Sequence, residues 1–168
     1  MNKDKIIKIE TAAKISAQLK KQGKKIIFCS GCFDILHSGH AVFFEQCKRL
    51  GDVLVVSVGS DCVIRKLKGQ QRPFNSENNR LFLVSAMQDV DYVILGENEL
   101  LPGKIDFGTA VDALRPDVFV LNSDDSAVKE KKELCCRLGI EIKLVKRSVP
   151  NFLHPMSSSK IIKNILDS

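Results

Sequence analysis

Apolar positions recur at helical spacing across residues 10–22, "ETAAKISAQLKKQ", and the pattern stops at Gly23, which predicts a helix. The period then changes. "KKIIFCS", residues 24–30, is a short β-prone run and predicts the first strand. "HAVFFEQCKRL" returns to helical spacing and ends at Gly51. "VLVVSV", residues 53–58, is almost wholly apolar, as a strand covered on both faces must be. A helix is predicted over "SENNRLFLVSAMQ", with Ser76 as its N-cap, and buried strands over "YVIL" and "VFVL". "SAVKEKKELCCRL" reads as a helix stopped by Gly139, "IEIKLV" as a fifth strand, and "SSSKIIKNIL" as a closing helix with serines at its start.

Strand and helix alternate throughout, so the strands are expected to run parallel with helical crossovers between them. The predicted class is α/β, a three-layer sandwich around a parallel five-stranded sheet. One domain over residues 1–168 is expected, with 1–22 as an N-terminal helical extension. Ligands of such sheets bind outside the carboxyl ends of the strands, near the switch in strand order.

Composition narrows the class of partner. No apolar run approaches the roughly 20 residues that span a bilayer, and the start "MNKDKIIKIE" lacks a secretory apolar region. A cytoplasmic protein with no membrane partner is expected. The net charge of +6 favours anions. Charge alone admits nucleic acid or a phosphorylated small molecule; one Tyr, no Trp and no long basic block weigh against nucleic acid. Cys29 and Cys32 form a C-x-x-C, the spacing of a redox or zinc pair. A zinc site needs two further ligands, and the adjacent Cys135 and Cys136 are poorly spaced to clamp one ion. The cysteines are therefore read as small packing residues, and no residue is assigned as a metal ligand.

The candidate chemistry lies at the end of the first predicted strand, in "GCFDILHSGH", Gly31 to His40. Gly31 is expected to let the backbone turn sharply, and Gly39 to let a ligand approach the next helix. The N-terminus of that helix, beginning near Ser38, offers unpaired N–H groups and partial positive charge to an anion. His37 and His40 would flank its first turn, and two imidazoles added to backbone donors make a phosphate cradle. Such a cradle can stabilise the charge that develops when a nucleoside triphosphate is attacked at its α-phosphorus. The common phosphate loops, G-x-x-x-x-G-K-S/T and G-x-G-x-x-G, are absent.

The run of strand, G-x-F-D, H-x-G-H and helix resembles the H-x-G-H nucleotidyltransferases of the cytidylyltransferase-like superfamily. "GKKIIFCSGCFDILHSGH", "RLGDVLVVSVGSD", "RKLKGQQRPFNSENNR" and "VDYVIL" look most like the nucleotidyltransferase domain of bacterial ADP-heptose synthases. The resemblance implies a Rossmann-like fold, a divalent cation such as Mg²⁺, a homodimer, and transfer of a nucleotidyl group to a phosphorylated sugar or polyol with release of pyrophosphate. By the same resemblance His37, His40 and Lys68 are the catalytic set. Gly31, Cys32, Phe33, Asp34, Gly39 and Arg72 are expected along the nucleotide. "MSSSKII" matches a closing segment that touches the triphosphate, through Ser157, Ser158 and Ser159 with Lys160 adding charge.

The chain departs from that pattern in places. A glycine-rich K-G-G-D after the fourth strand is replaced by "LNSDD", where Asn122 and Asp124 are expected to face the base or ribose. "KRSVPNFLHP" is longer than the usual link before the serines, and Arg147 is the match there to a family arginine. Glycerol-3-phosphate cytidylyltransferases carry R-Y-V-D where this chain has "QDVD" from Gln88, which favours ATP over CTP. Three readings follow: an adenylyltransferase for a sugar phosphate such as heptose 1-phosphate, a CTP-using enzyme of the glycerol-3-phosphate type, or a nucleotide-binding module without turnover.

Overall fold

β1 (Ile26–Gly31) is the central strand, and its residues Ile26 to Cys29 are fully closed to solvent. β2 (Val53–Val58) pairs with it in parallel on one side and β4 (Val118–Asn122) on the other. β3 (Tyr92–Leu95) lies outside β2 and β5 (Glu141–Val145) outside β4, giving the order β3-β2-β1-β4-β5. The chain thus builds outward from β1 to β3, then returns to start again at β4. That reversal opens a crevice between the carboxyl ends of β1 and β4. The computed structural model describes residues 2–102, 105–146 and 148–167. Its five-stranded parallel sheet is the α/β arrangement expected from the alternation of periods, and the Rossmann-like one that the resemblance implies.

Alternate residues of β1 feed two cores. Ile26 and Phe28 face α1 (Ile9–Lys21), α5 (Gly108–Leu114) and α6 (Val128–Leu138), with Phe119 edge-on to Phe28 and Phe107 at 5.1 and 5.3 Å between centroids and Phe28 tilted against Phe107 at 5.6 Å. Such aromatic pairs add about 0.5–1.5 kcal/mol each beyond area burial. Ile27 and Cys29 face α2 (Ser38–Lys48) and α4 (Glu77–Ser85), through Phe43, Phe44, Cys47, Leu81 and Val84. Two further helices, α3 (Asp61–Lys68) and α7 (Ser158–Leu166), border the carboxyl ends of the strands.

The segment before β1 forms part of this sandwich. Ser16 is buried and donates to the Leu114 carbonyl, and Lys20 Nζ donates to the Arg115 carbonyl at 2.6 Å, so α1 is fixed along α5. Ile6 makes a parallel bridge to Val93, and Ile7 N–H donates to the Val93 carbonyl at 2.9 Å.

Carboxylates close the amino end of the sheet. Asp52 accepts from Lys25 N–H at 2.8 Å, Asp117 from Ile26 N–H at 2.7 Å and Asp91 from Leu54 N–H at 2.7 Å. Lys48, at the far end of α2 from the histidines, reaches Asp91 at 2.5 Å. No helix among the described residues is long and apolar enough to cross a membrane.

Two helices lie in segments to which the periodicity assigned no element. α3 forms because Ser60 caps it, accepting from Val63 N–H at 3.3 Å, and because Val63 and Ile64 are buried. α5 opens on a glycine without a side-chain cap; Thr109 N–H donates instead to Glu97 Oε1 at 2.7 Å, while Ala110, Val111 and Leu114 enter the core.

Candidate active site

The sharp turn after β1 falls at Phe33, whose φ is +48°, and not at Gly31. Gly31 is still in the strand, and what it supplies is room: a Cβ there would lie 2.8 Å from the Phe33 ring. The turn folds Phe33 back into the core against Phe44 at 5.2 Å, with its ring edge-on to His40 at 5.3 Å. Gly39 has a similar use. A Cβ there would come within 3.0 Å of the His37 ring and 3.6 Å of the Met156 carbonyl, so glycine allows the histidine and the segment before α7 to close on the helix start.

His37 is the N-cap of α2 and His40 lies in its first turn, with His40 N–H donating to the His37 carbonyl at 2.9 Å. Their rings stack at 3.9 Å between centroids, 28° apart. No acidic residue occupies the first turn of α2 or of α7, so both helix N-termini are electrostatically open to an anion. The serines divide their work. Ser157 caps α7, accepting from Lys160 N–H at 3.2 Å; Ser158 Oγ donates to the Ile35 carbonyl at 3.1 Å, tying α7 to the β1–α2 loop; Ser159 is exposed at the mouth. These elements border one cavity of about 600 Å³ at the carboxyl end of the sheet, a volume suited to a nucleotide-sized ligand.

Lys68, Asn122 and Asp124 also line this cavity. Burial raises the Cys32 thiol pKa, and the nearby Lys68 pulls it back down, with Asp106, Arg80 and Asp34 as smaller influences. A thiol raised above its ordinary range stays neutral near pH 7, so Cys32 offers its backbone rather than a nucleophile. Asp34 borders the cavity, yet its carboxylate is turned into the protein. It accepts from Arg72 Nε at 2.6 Å, Phe74 N–H at 2.8 Å and Asn75 N–H at 3.0 Å. Arg72, expected along the nucleotide, lies outside the cavity lining and stacks over Phe74 at 5.0 Å. The buried carboxylate outcompetes solvent for that guanidinium. Arg147 lies outside the described residues.

With this geometry, the model of the cytidylyltransferase-like family matches residues 28–164. The chain belongs to the cytidylyltransferase-like family of nucleotidyltransferases. It is 35% identical over 167 residues to the bifunctional protein HldE of Wolinella succinogenes, covering 99% of this chain and 32% of that one. The chain thus spans about a third of that relative's length. Among solved structures it is similar to the lipopolysaccharide core biosynthesis protein of Thermoplasma volcanium, 33% identical with a TM-score of 0.62, covering 77% of this chain and all of that one. Pantoate-beta-alanine ligase of Francisella tularensis shares the fold, at 21% identity and a TM-score of 0.65 over 95% of this chain and 72% of that one.

Within this cytidylyltransferase-like framework, one residue that motif reading passed over organises the loops. Arg80 is fully buried in α4 and donates through Nε to the Asn75 carbonyl at 2.9 Å, through Nη1 to the Cys32 and Gly59 carbonyls at 2.7 and 2.6 Å, and through Nη2 to Asp61 at 2.7 Å. It clamps the ends of β1 and β2 and the start of α3 together. It closes the quoted segment "RKLKGQQRPFNSENNR", and its local signal is an arginine in the first turn of an otherwise apolar-faced helix. Asp106, Phe107 and Lys131 also line the cavity unannounced by any motif. Gln88, by contrast, is exposed at the amino end of β3, at the opposite end of the sheet, so it makes no contact with a ligand in this cavity.

Proposed function

We propose that the chain transfers a nucleotidyl group, adenylyl by preference, from a nucleoside triphosphate to a phosphorylated sugar such as heptose 1-phosphate. A phosphate oxygen of the acceptor forms a bond to the α-phosphorus, the bond from that phosphorus to the bridging oxygen breaks, and pyrophosphate leaves with the electron pair. The observation that carries the reading is the convergence of two helix N-termini, α2 and α7, on one cavity with His37 and His40 stacked between them. The triphosphate lies along those N-termini, and the imidazoles donate to the oxygens on which charge builds as the bridging bond breaks. No covalent enzyme intermediate is needed.

Among the described residues no group of three or more His, Cys, Asp or Glu side chains forms a metal site. A Mg²⁺ ion would therefore enter with the triphosphate as part of the substrate, held mainly by phosphate oxygens. The family likeness also supports a homodimer; sedimentation at micromolar concentration that found only an 18.7 kDa species would remove that part of the reading.

Lys68, at the end of α3 and facing the cavity, is assigned to phosphate in the ground state as well as in the transition state. Lys68→Ala is expected to raise KM for the triphosphate and lower kcat together. Steady-state kinetics giving an unchanged KM would take Lys68 off the phosphates. Arg72 joins them only through a movement of the loop after α3; its Nη2, buried without a hydrogen-bond partner among the described residues, is the donor such a movement would bring.

ATP is favoured by the likeness of the β1–α2 segment to ADP-heptose synthases. With Gln88 remote, base choice rests on Asn122 and Asp124 at the end of β4. Pyrophosphate release, measured for each of the four triphosphates with heptose 1-phosphate and with glycerol 3-phosphate, tests the proposal. ATP with the heptose is expected to lead. A tenfold preference for CTP, about 1.4 kcal/mol at the transition state, would move the assignment to the cytidylyl type. No release with any pair would leave a binding module.

A further inference from the structure

The wall of the cavity formed by the segment just before α5 carries a buried carboxylate that holding a triphosphate does not explain. Asp106 stands two residues before α5, is 8% exposed, and lines the cavity beside Phe107, Gly59 and Lys131. The backbone is cleared around it: a Cβ on Gly96 would fall 2.8 Å from Asp106 Oδ2, and one on Gly59 3.1 Å. Its own N–H bonds the carboxylate, and its carbonyl accepts from Glu97 N–H at 2.6 Å, so the group is seated by main chain at the ends of β2 and β3. Burial pushes its pKa up to about 6; its own N–H, Lys131 and Arg80 work against that rise, and Glu97 adds to it. The ionisable groups facing it are Lys131 of α6, Arg80 of α4, Glu97 after β3 and Cys32 after β1. Lys131 is paired with Asp125 at 2.8 Å and Arg80 with Asp61 at 2.7 Å.

Charge divides this cavity across the sheet. The histidines and both open helix N-termini belong to the α2 side, whereas Asp106 leads into α5 on the other face. A phosphate is attracted to the first wall and repelled by the second. What a carboxylate takes on the second wall is donors, and its two oxygens offer about four acceptor positions. Asn122 and Asp124 stand at the end of β4, on the base and ribose side of the proposed pose, which leaves Asp106 facing the acceptor. A desolvated carboxylate is also a burden on folding, and such groups persist where they serve a site.

We propose that Asp106 is the specificity residue for the acceptor, its carboxylate accepting hydrogen bonds from the hydroxyl groups of a polyhydroxylated sugar phosphate whose phosphate points towards Lys68 and the histidines. This rests on the transferase reading for the identity of the acceptor.

Calorimetry on the full chain, with a non-hydrolysable ATP analogue present, separates hydroxyl recognition from phosphate recognition by using two probes, heptose 1-phosphate and inorganic phosphate. Asp106→Asn is expected to weaken heptose 1-phosphate binding about tenfold or more, as for a lost hydrogen bond to a charged acceptor. Binding of inorganic phosphate, which has no carbinol hydroxyls, should stay within about twofold. The weakening caused by Asp106→Asn should grow between about pH 5 and pH 7 as the wild-type carboxyl ionises, whereas the second ionisation of the sugar phosphate, near pH 6, acts alike on both proteins. Asp106→Ser serves as a second variant should the amide disturb folding. Equal weakening for both probes, no change for either, or a wild-type-to-variant affinity ratio that does not vary with pH would overturn the assignment, as would a wild type that does not bind heptose 1-phosphate. Wild type that binds the sugar phosphate and releases no pyrophosphate from ATP would sink the transferase reading while the Asp106 comparison stands.

Discussion

Replacing His37 or His40 with alanine is expected to lower kcat about a hundredfold or more, comparable to the loss of one preorganised oxyanion donor. The geometry explains why either single change should be so costly. The rings stack at 3.9 Å, so each fixes the other's orientation, and Phe33 supports His40 from beneath. Gly39 leaves space for the His37 ring beside the Met156 carbonyl. Removing one imidazole takes a donor from the developing charge and loosens the remaining ring. Triphosphate binding should weaken less, because the N–H groups of α2 and α7 stay in place. Rapid-quench kinetics and triphosphate titration on each variant, with circular dichroism matching wild type, make the comparison. Turnover within a few-fold of wild type in both variants would remove the histidines from the transition state.

The parts of the site readable from sequence are those a local pattern can encode. A buried apolar run, a turn, two histidines one helical turn apart and a serine-rich helix start all lie within short windows. Each has one physical use at the end of a parallel strand. The parts that escaped depend on distant chain segments meeting. Gly31 reads as a turn glycine, but its requirement comes from the Phe33 ring folding back over it. Arg72 is expected along the nucleotide, and nothing near it in sequence reveals that it will also pair with the buried Asp34, 38 residues away. The same holds for the amino-end aspartates: "VDYVIL" and "RPDVFVL" show strands preceded by Asp, without showing that each carboxylate caps a strand. Gln88 is the reverse case. A motif comparison assigns it meaning for base choice, and only the fold shows that it sits at the wrong end of the sheet.

Arg80 should be the most destabilising single truncation near the site. Its guanidinium is fully closed to solvent and supplies four hydrogen bonds to acceptors on separate segments: the Asn75, Cys32 and Gly59 carbonyls and the Asp61 carboxylate. Arg80→Ala leaves those oxygens facing a cavity without donors. Breaking a buried ion pair on one side costs about 3–5 kcal/mol, and for a chain of this size each kcal/mol lowers Tm by about 2–4 °C. A drop of roughly 6–20 °C is therefore expected in a thermal melt. Arg80→Lys should recover little of it, because one ammonium on a flexible stem lacks the planar fork that meets acceptors in different directions. The change should also reach the chemistry. Cys32 heads the loop that carries Phe33 and, through it, His40, so releasing its carbonyl frees the support of the histidine pair. Below the melting transition, Arg80→Lys is thus expected to lower kcat more than it raises KM for the triphosphate, since the helix N-termini that bind the ground state are untouched. A variant that melts within about 2 °C of wild type would show that these four contacts do not hold the loops together, and unchanged kcat in a destabilised variant would confine Arg80 to folding.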